Sequence, residues 1–251
     1  MRKAIVVLAL VGIGVMLIYA VGEMPPMGDS GNPDKVHIAP RYLEHGEEEA
    51  GASNVITAVI LNYRGYDTMG EVAVIFCALC AVVAILNREK TGLSRTSMDV
   101  SGVKASVVVR TTIRFLVPVI IFFAVYIILH GESTPGGGFQ GGAIIGASII
   151  LFTLAFGLPE STRKLPLRFR IPLESFAVIA FLAAGFTGIV FGVHFLTYLM
   201  PGLSEYAAET IRHIMMMVIE IGIGFAGGII FTSIMFAMIR EDQCELQPDS
   251  P

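Results

Sequence analysis

Glu220 lies inside the last long apolar run of this chain, between Ile214 and Ile239, and His213 stands seven residues before it. Seven residues are two helical turns, so a helix presents both on one face. At 1.5 Å per residue Glu220 sits about 13 Å below the outer start of such a helix, near the middle of a bilayer core. An ionisable group there costs several kcal/mol unless it is paired, hydrated or protonated. Glu220 therefore marks either a proton or cation path or a buried acid hydrogen-bonded by a neighbouring helix. His213, nearer the interface, carries the same two readings. A second group is Arg64, Asp67 and Glu71. On a helix the three share a face and Arg64 can pair with Asp67. They form either an ion-uptake or ion-release cluster, or an N-cap (Asp67) with an interfacial ion pair. Glu174 and His194, near the ends of their helix, can reach water. Cys77 and Cys80 have the spacing of a metal or redox pair. Inside an apolar run with no second pair they are expected to pack.

Between two further apolar runs stands His130-Gly-Glu-Ser-Thr-Pro-Gly-Gly-Gly-Phe-Gln-Gly-Gly142. His130 can cap the helix before it, and Pro135 ends what precedes it. Gly136, Gly137 and Gly138 allow a sharp turn. Gly138, Gly142 and Gly146 then recur every fourth residue, a doubled GxxxG stripe that admits another helix at backbone distance. A matching pair is Gly224 and Gly228. The reading is a tight hairpin between membrane helices, the second of them buried against protein.

Around these residues the chain has 251 residues, 54% hydrophobic and only 15% charged, with a mean hydropathy of +0.73. Soluble domains carry about 25% charged residues, so the chain is read as a membrane protein. No basic stripe suggests nucleic acid. No phosphate loop, HExxH, GxSxG or dinucleotide fingerprint is present. With only three cysteines there is no ligand set for an iron–sulfur cluster or haem, and no metal or catalytic residue is assigned.

In order, Ala4–Val21 predicts an uncleaved first span. Gly22–Ala52, with four prolines and an acidic excess, predicts irregular structure in water. Asn54–Tyr63 is too short to span and predicts an interfacial or re-entrant helix. A second span runs from Val72 to about Leu86. The basic stretch Asn87–Arg114 separates two halves. Spans follow at about Phe115–His130, from the hairpin to about Gly157, from Pro172 (opening its helix) to about Met200, and at Glu209–Ile239. A loose polar tail ends the chain. The expected organisation is 1–87, a basic linker 88–102, a four-helix membrane domain 103–240 and a tail 241–251. The fold class is all-α and polytopic, with six transmembrane helices. Most of the 17 Lys and Arg fall on one side if both termini are inside, which predicts N-in/C-in.

Two pieces resemble known sequences. His130, Gly131, Pro135, Gly136, Gly137, Gly138, Phe139, Gly141 and Gly142, within the four apolar runs of Val103–Arg240, are similar to the B-type component of the Mrp-type multisubunit cation/proton antiporters. Arg64-Gly-Tyr-Asp-Thr-Met-Gly-Glu71 resembles the C-terminal tail of the A-type component, where a Phe stands in place of Tyr66. The large helix bundle that precedes this tail in the A-type component is missing. A fusion of tail and B-like piece most resembles the archaeal membrane-bound sulfane reductase and hydrogenase complexes. The resemblance implies a membrane-arm subunit in the plasma membrane of an archaeon or bacterium, within a complex that moves Na+ and H+ and is driven by ferredoxin oxidation elsewhere. It implies antiporter-like and other small membrane subunits as partners and the lipid bilayer as surroundings. The chain itself would hold no cofactor, with iron–sulfur clusters only in partner subunits. Glu71, Asp67 and the hairpin residues carry the matching motifs; Glu220 and His213 rest on the physical argument. Two other roles stay open: a non-conducting clamp between antiporter-like subunits, and a component of a stand-alone antiporter. A redox role for Cys77 and Cys80 is a third.

Overall fold

The computed structural model describes residues 2–88, 105–198 and 202–244, and every regular element among them is helical. Helix α1 is Arg2–Gly22, α2 Ala39–Ala50, α3 Val55–Thr57, α4 Gly65–Arg88 and α5 Val107–Leu129. Then come α6 Gly138–Phe156, α7 Leu158–Lys164, α8 Leu167–Val190 and α9 Glu205–Cys244. Two π-helical turns, Asp34–Ile38 and Ala58–Tyr63, lead into α2 and out of α3. Six helices are long and apolar enough to cross a membrane: Ala4–Gly22, Gly65–Leu86, Val107–Leu129, Gly138–Phe156, Leu167–Val190 and Glu205–Ile239.

The chain forms two compact units, Met1–His45 and Gly46–Pro251. The stretch expected to be irregular, Gly22–Ala52, is partly helical. Ala and Glu dominate the end of α2 and are good helix formers. Pro40, the second residue of α2, comes just after the π-helical turn Asp34–Ile38, which runs without a break into α2.

The second unit is built on α9. Helix α6 packs along it most extensively, α8 and α4 also pack on it, and α5 packs on α6. The main core gathers Leu61, Phe181, Met216, Ile219 and Ile223, all at most 2% exposed. Burial of such side chains contributes roughly 1.5–3 kcal/mol each where the alternative is water. Between membrane helices, close packing carries more of the association.

The glycine stripes interlock. A Cβ on Gly142 would stand 2.7 Å from the Gly224 carbonyl oxygen, one on Gly228 2.9 Å from the Gly142 carbonyl oxygen, and one on Gly146 3.2 Å from the Gly228 carbonyl oxygen. Helices α6 and α9 thus touch through backbone over two turns.

Several helix ends differ from the sequence reading. Helix α5 starts at Val107, not Phe115, because Ser106 caps it: its hydroxyl accepts the Val109 N–H at 3.3 Å. Arg110 and Arg114 ride on its first turns with their guanidiniums 5.0 and 5.5 Å from the Phe156 ring centre, so basic residues there do not delay the helix. Pro172 lies inside α8 and does not open it; the extended Pro166 does (ψ 154°). Helix α8 ends at Val190, ten residues early, where Gly192 (φ +77°) and Leu196 (φ +59°) turn the chain back. Helix α9 begins at Glu205 and is 40 residues long. The polar tail from 245 onward and the basic linker at 89–104 lie outside the described residues.

Candidate functional site

Helix α5 ends at the hairpin because its last carbonyls are taken locally. The Tyr126 carbonyl lies 3.0 Å from His130 Nδ1, and the His130 ring stacks on Tyr126 at 4.1 Å. The Thr134 hydroxyl donates to the His130 carbonyl at 2.9 Å. Gly137, with φ +136°, then turns the chain into α6, a conformation that side-chain-bearing residues rarely adopt.

The hairpin is pinned by the short segment before α4. Asn54 Nδ2 donates to the carbonyls of Gly131 at 2.8 Å and Thr134 at 2.9 Å, and its side-chain oxygen accepts the Ile56 N–H, capping α3. The Thr57 hydroxyl donates to the Gly131 carbonyl at 2.6 Å, and the Asn54 N–H to the Glu132 carbonyl at 2.9 Å. Residues 54–63 are not a span, as their length predicts. They are a short helical segment seated on the hairpin, with Thr57, Ala58 and Leu61 at most 1% exposed.

Glu220 points from α9 into this hairpin. The Gly138 N–H, first in α6, donates to Glu220 Oε2. The N-terminus of α6 adds partial positive charge beside the carboxylate. A Cβ on Gly131 would lie 3.3 Å from Glu220 Oε1, and one on Gly137 3.2 Å from Oε2, so glycine at both places makes room for the carboxyl group. Glu220 is 2% exposed, and its Oε1 is buried with no hydrogen-bond partner. Next to Gly131 stands Glu132, whose Oε2 lies 2.9 Å from His213 Nδ1 and whose Oε1 is also buried without a partner. The two carboxylates are near enough to act on each other electrostatically.

The site thus joins Glu220, His213 and the hairpin residues Gly137 and Gly138, and adds Glu132, Asn54 and Thr57. Glu132 stands two residues after His130 inside the motif, an acid in a hairpin otherwise built for turning. Pro135 is exposed at the tip, Phe139 packs against the main core, and Gly142 and Gly146 serve the α6–α9 contact. Arg64 and Asp67 pair at 2.5 Å, both more than half exposed, and Glu71 is exposed on α4. Asp67 lies in the first turn of α4, which starts at Gly65, so it is not the cap. His194 is exposed in the turn after α8. Glu174, half-buried, accepts from the Ser233 hydroxyl, which also accepts from Arg170 Nη1 at 3.2 Å. Cys77 and Cys80 are exposed on α4 and do not pack the core. Among the described residues no three His, Cys, Asp or Glu converge to hold a metal ion.

Comparison with known proteins follows the same outline. A family described as a domain related to the MnhB subunit of Na+/H+ antiporter matches residues 108–232, and one described as the E component of MBH matches residues 2–100. A Staphylococcus aureus (strain Newman) protein bearing the name antiporter subunit mnhB2 is 32% identical over 140 residues, 53% of this chain and 93% of that protein. A Rhizobium meliloti (strain 1021) protein, named as a probable A/B component of a K(+)/H(+) antiporter, is 28% identical over 208 residues, 74% of this chain. The match spans only 20% of that relative's length. Among solved structures, a chain of the membrane-bound sulfane sulfur reductase (MBS), an archaeal respiratory membrane complex, is 33% identical with a TM-score of 0.62, covering 94% of this chain and 97% of that one. A chain of the Mrp complex from Dietzia sp. DQ12-45-1b shares the fold with a TM-score of 0.59 at 24% identity, over all of this chain and 27% of its own.

Proposed function

From the fact that this chain belongs to the family related to the MnhB subunit of Na+/H+ antiporters, we propose that it is a membrane-arm subunit of a cation/proton-translocating complex in which Glu220 handles the transported ion. The chain is a multi-pass plasma-membrane protein. One observation carries the reading: Glu220 is buried in a membrane span with Oε2 held by the first N–H of α6 and Oε1 left without a partner. A purely structural acid would have both oxygens satisfied, because an unpaired buried acceptor costs about 1–3 kcal/mol. A group that must take up and release an ion needs a vacant oxygen.

The likeness to a chain of the sulfane sulfur reductase over nearly its full length supports a respiratory membrane complex as the setting; ferredoxin oxidation and iron–sulfur clusters in partner subunits belong to the proposal. The charge bias supports both termini inside, so that the hairpin faces outward. Glu71 and Asp67, exposed on α4, are then placed to meet a partner subunit.

The test is Glu220→Gln, which keeps the shape and removes the charge. With the complex still assembled, Na+-dependent proton exchange in membrane vesicles is abolished. Normal exchange in that variant removes the role. A second reading, a clamp between antiporter-like subunits, is favoured by the backbone contact of Gly142 and Gly228. It requires that Gly142→Leu destroy assembly while Glu220→Gln leaves exchange intact.

A further inference from the structure

Resting on that reading, we propose that His213 and Glu132 form a relay to Glu220 that carries protons and not sodium ions. Three groups lie in sequence from water to the dry centre. The His213 side chain is 42% exposed, the Glu132 side chain 16%, and Glu220 only 2%. His213 Nδ1 and Glu132 Oε2 are at hydrogen-bond distance, 2.9 Å. Beyond them each carboxylate keeps one buried oxygen free, Glu132 Oε1 and Glu220 Oε1. Gly131, the residue before Glu132, lies against the third group: a Cβ there would be 3.3 Å from Glu220 Oε1, and the two carboxylates act on each other electrostatically.

The hairpin offers little to a metal cation. A sodium ion shed of water needs several oxygens around it, and backbone carbonyls are the usual source in a membrane. Here the carbonyls of His130, Gly131, Glu132 and Thr134 already accept hydrogen bonds from Thr134, Asn54 and Thr57. Among the described residues no metal-holding group of acids and histidines forms. A proton needs only one acceptor at a time.

Among the described residues, the polar groups beside the relay on the hairpin, on the 53–57 segment and at the start of α6 have partners of their own or do not ionise. From α9, Arg212 turns away to the carbonyls of Glu48 and Glu49. From the hairpin, His130 is turned to Tyr126. The segment at 53–57 offers only Ser53, Asn54 and Thr57, none ionisable. From α6, Gln140 lies by Gly137, where a Cβ would be 3.1 Å from its side-chain oxygen. Among the described residues the relay has one histidine and two acids. In the inward step, imidazolium Nδ1–H gives its proton to Glu132 Oε2, leaving neutral His213 and a protonated Glu132. Glu132 passes that proton to the Glu220 carboxylate and returns to the anion, while His213 takes up a new proton from water. The Gly138 N–H holds Glu220 whenever it is the anion.

The experiment uses membrane vesicles containing the full complex, with a ΔpH-sensitive dye and NaCl as the driving salt, after a pull-down has verified assembly. Glu132→Gln and His213→Gln each cut proton flux by about 100-fold, the scale of a lost proton-transfer group. The dependence of flux on external pH flattens, and the NaCl concentration for half-maximal flux stays unchanged. A shifted NaCl half-saturation with an intact pH profile makes this a cation site and overturns the relay. Wild-type behaviour of both variants beside an inactive Glu220→Gln also overturns the relay, yet leaves the proposed function standing. Full activity of Glu220→Gln removes that function itself. If Glu132→Gln does not assemble, the half-exposed His213→Gln carries the test with the same readouts.

Discussion

Gly142 and Gly224 face each other so closely that a Cβ on the first would stand 2.7 Å from the carbonyl oxygen of the second. The obstacle is backbone, which cannot rotate aside. Gly142→Leu, or Gly142→Ala, must therefore part α6 from α9, at a cost of at least about 1–3 kcal/mol. Gly227, also on α9, has nothing within 4 Å of its would-be Cβ. Gly227→Ala leaves stability level or raises it by roughly 0.5–1 kcal/mol. Thermal unfolding in detergent compares the two, and equal effects would contradict the interlock.

Asn54 holds two hairpin carbonyls and caps α3 with one side chain. Asn54→Ala strips Gly131 and Thr134 of those donors and removes the cap, a loss of about 2 kcal/mol from an unsatisfied acceptor and a lost cap. Hydrogen exchange should rise across 131–137 and hardly change in the interlocked part of α9. Exchange that rises equally along α9 would show that the segment is not a local pin.

How much of this is legible in the sequence depends on range. The six spans are, because run length in apolar residues maps directly onto bilayer thickness. The glycine stripe is, because a four-residue period shows without knowing the partner. The resemblance to the B-type antiporter component and to the tail of the A-type one also holds. Glu220 stands out as an acid in an apolar run, but its partners do not. Asn54 meets Gly131 and Thr134 from 77 and 80 residues away, and Glu132 meets His213 across 81. Nothing local marks those pairings. Helix ends fail for a different reason: Ser106 and Pro166 set them by backbone geometry, while charge and a later proline draw the eye.

Ser233 joins Arg170 of α8 to Glu174 of the same helix, and the Arg170 guanidinium lies 5.0 Å from the centre of the Phe236 ring. Arg170 is 4% exposed. Removing the buried Arg170 leaves the half-buried Glu174 carboxylate uncompensated, at up to about 3–5 kcal/mol. Arg170→Ala is expected to lose that much in thermal unfolding. Ser233→Ala loses less, about 1–2 kcal/mol, because only a hydroxyl bridge goes. If Arg170→Ala proves as mild as Ser233→Ala, the guanidinium has water around it and the cluster is not sealed.

Tyr198, in the turn between α8 and α9, is 2% exposed and its hydroxyl has no hydrogen-bond partner. Burial pushes its phenol above the ordinary value. For an acid raised in the folded state, the contribution to stability is whole below the unfolded pKa, about 10, and fades as pH climbs through the folded one. Stability attributable to Tyr198 is therefore flat from neutral pH to about 9 and falls only above about 10. Tyr198→Phe removes that alkaline loss and, at neutral pH, relieves an unpaired buried hydroxyl, a gain on the order of 1 kcal/mol. Unfolding midpoints of the two proteins, followed from neutral into alkaline solution, should draw apart as pH rises, with the variant ahead throughout. A variant that is less stable at neutral pH would mean that the hydroxyl is satisfied in the folded protein.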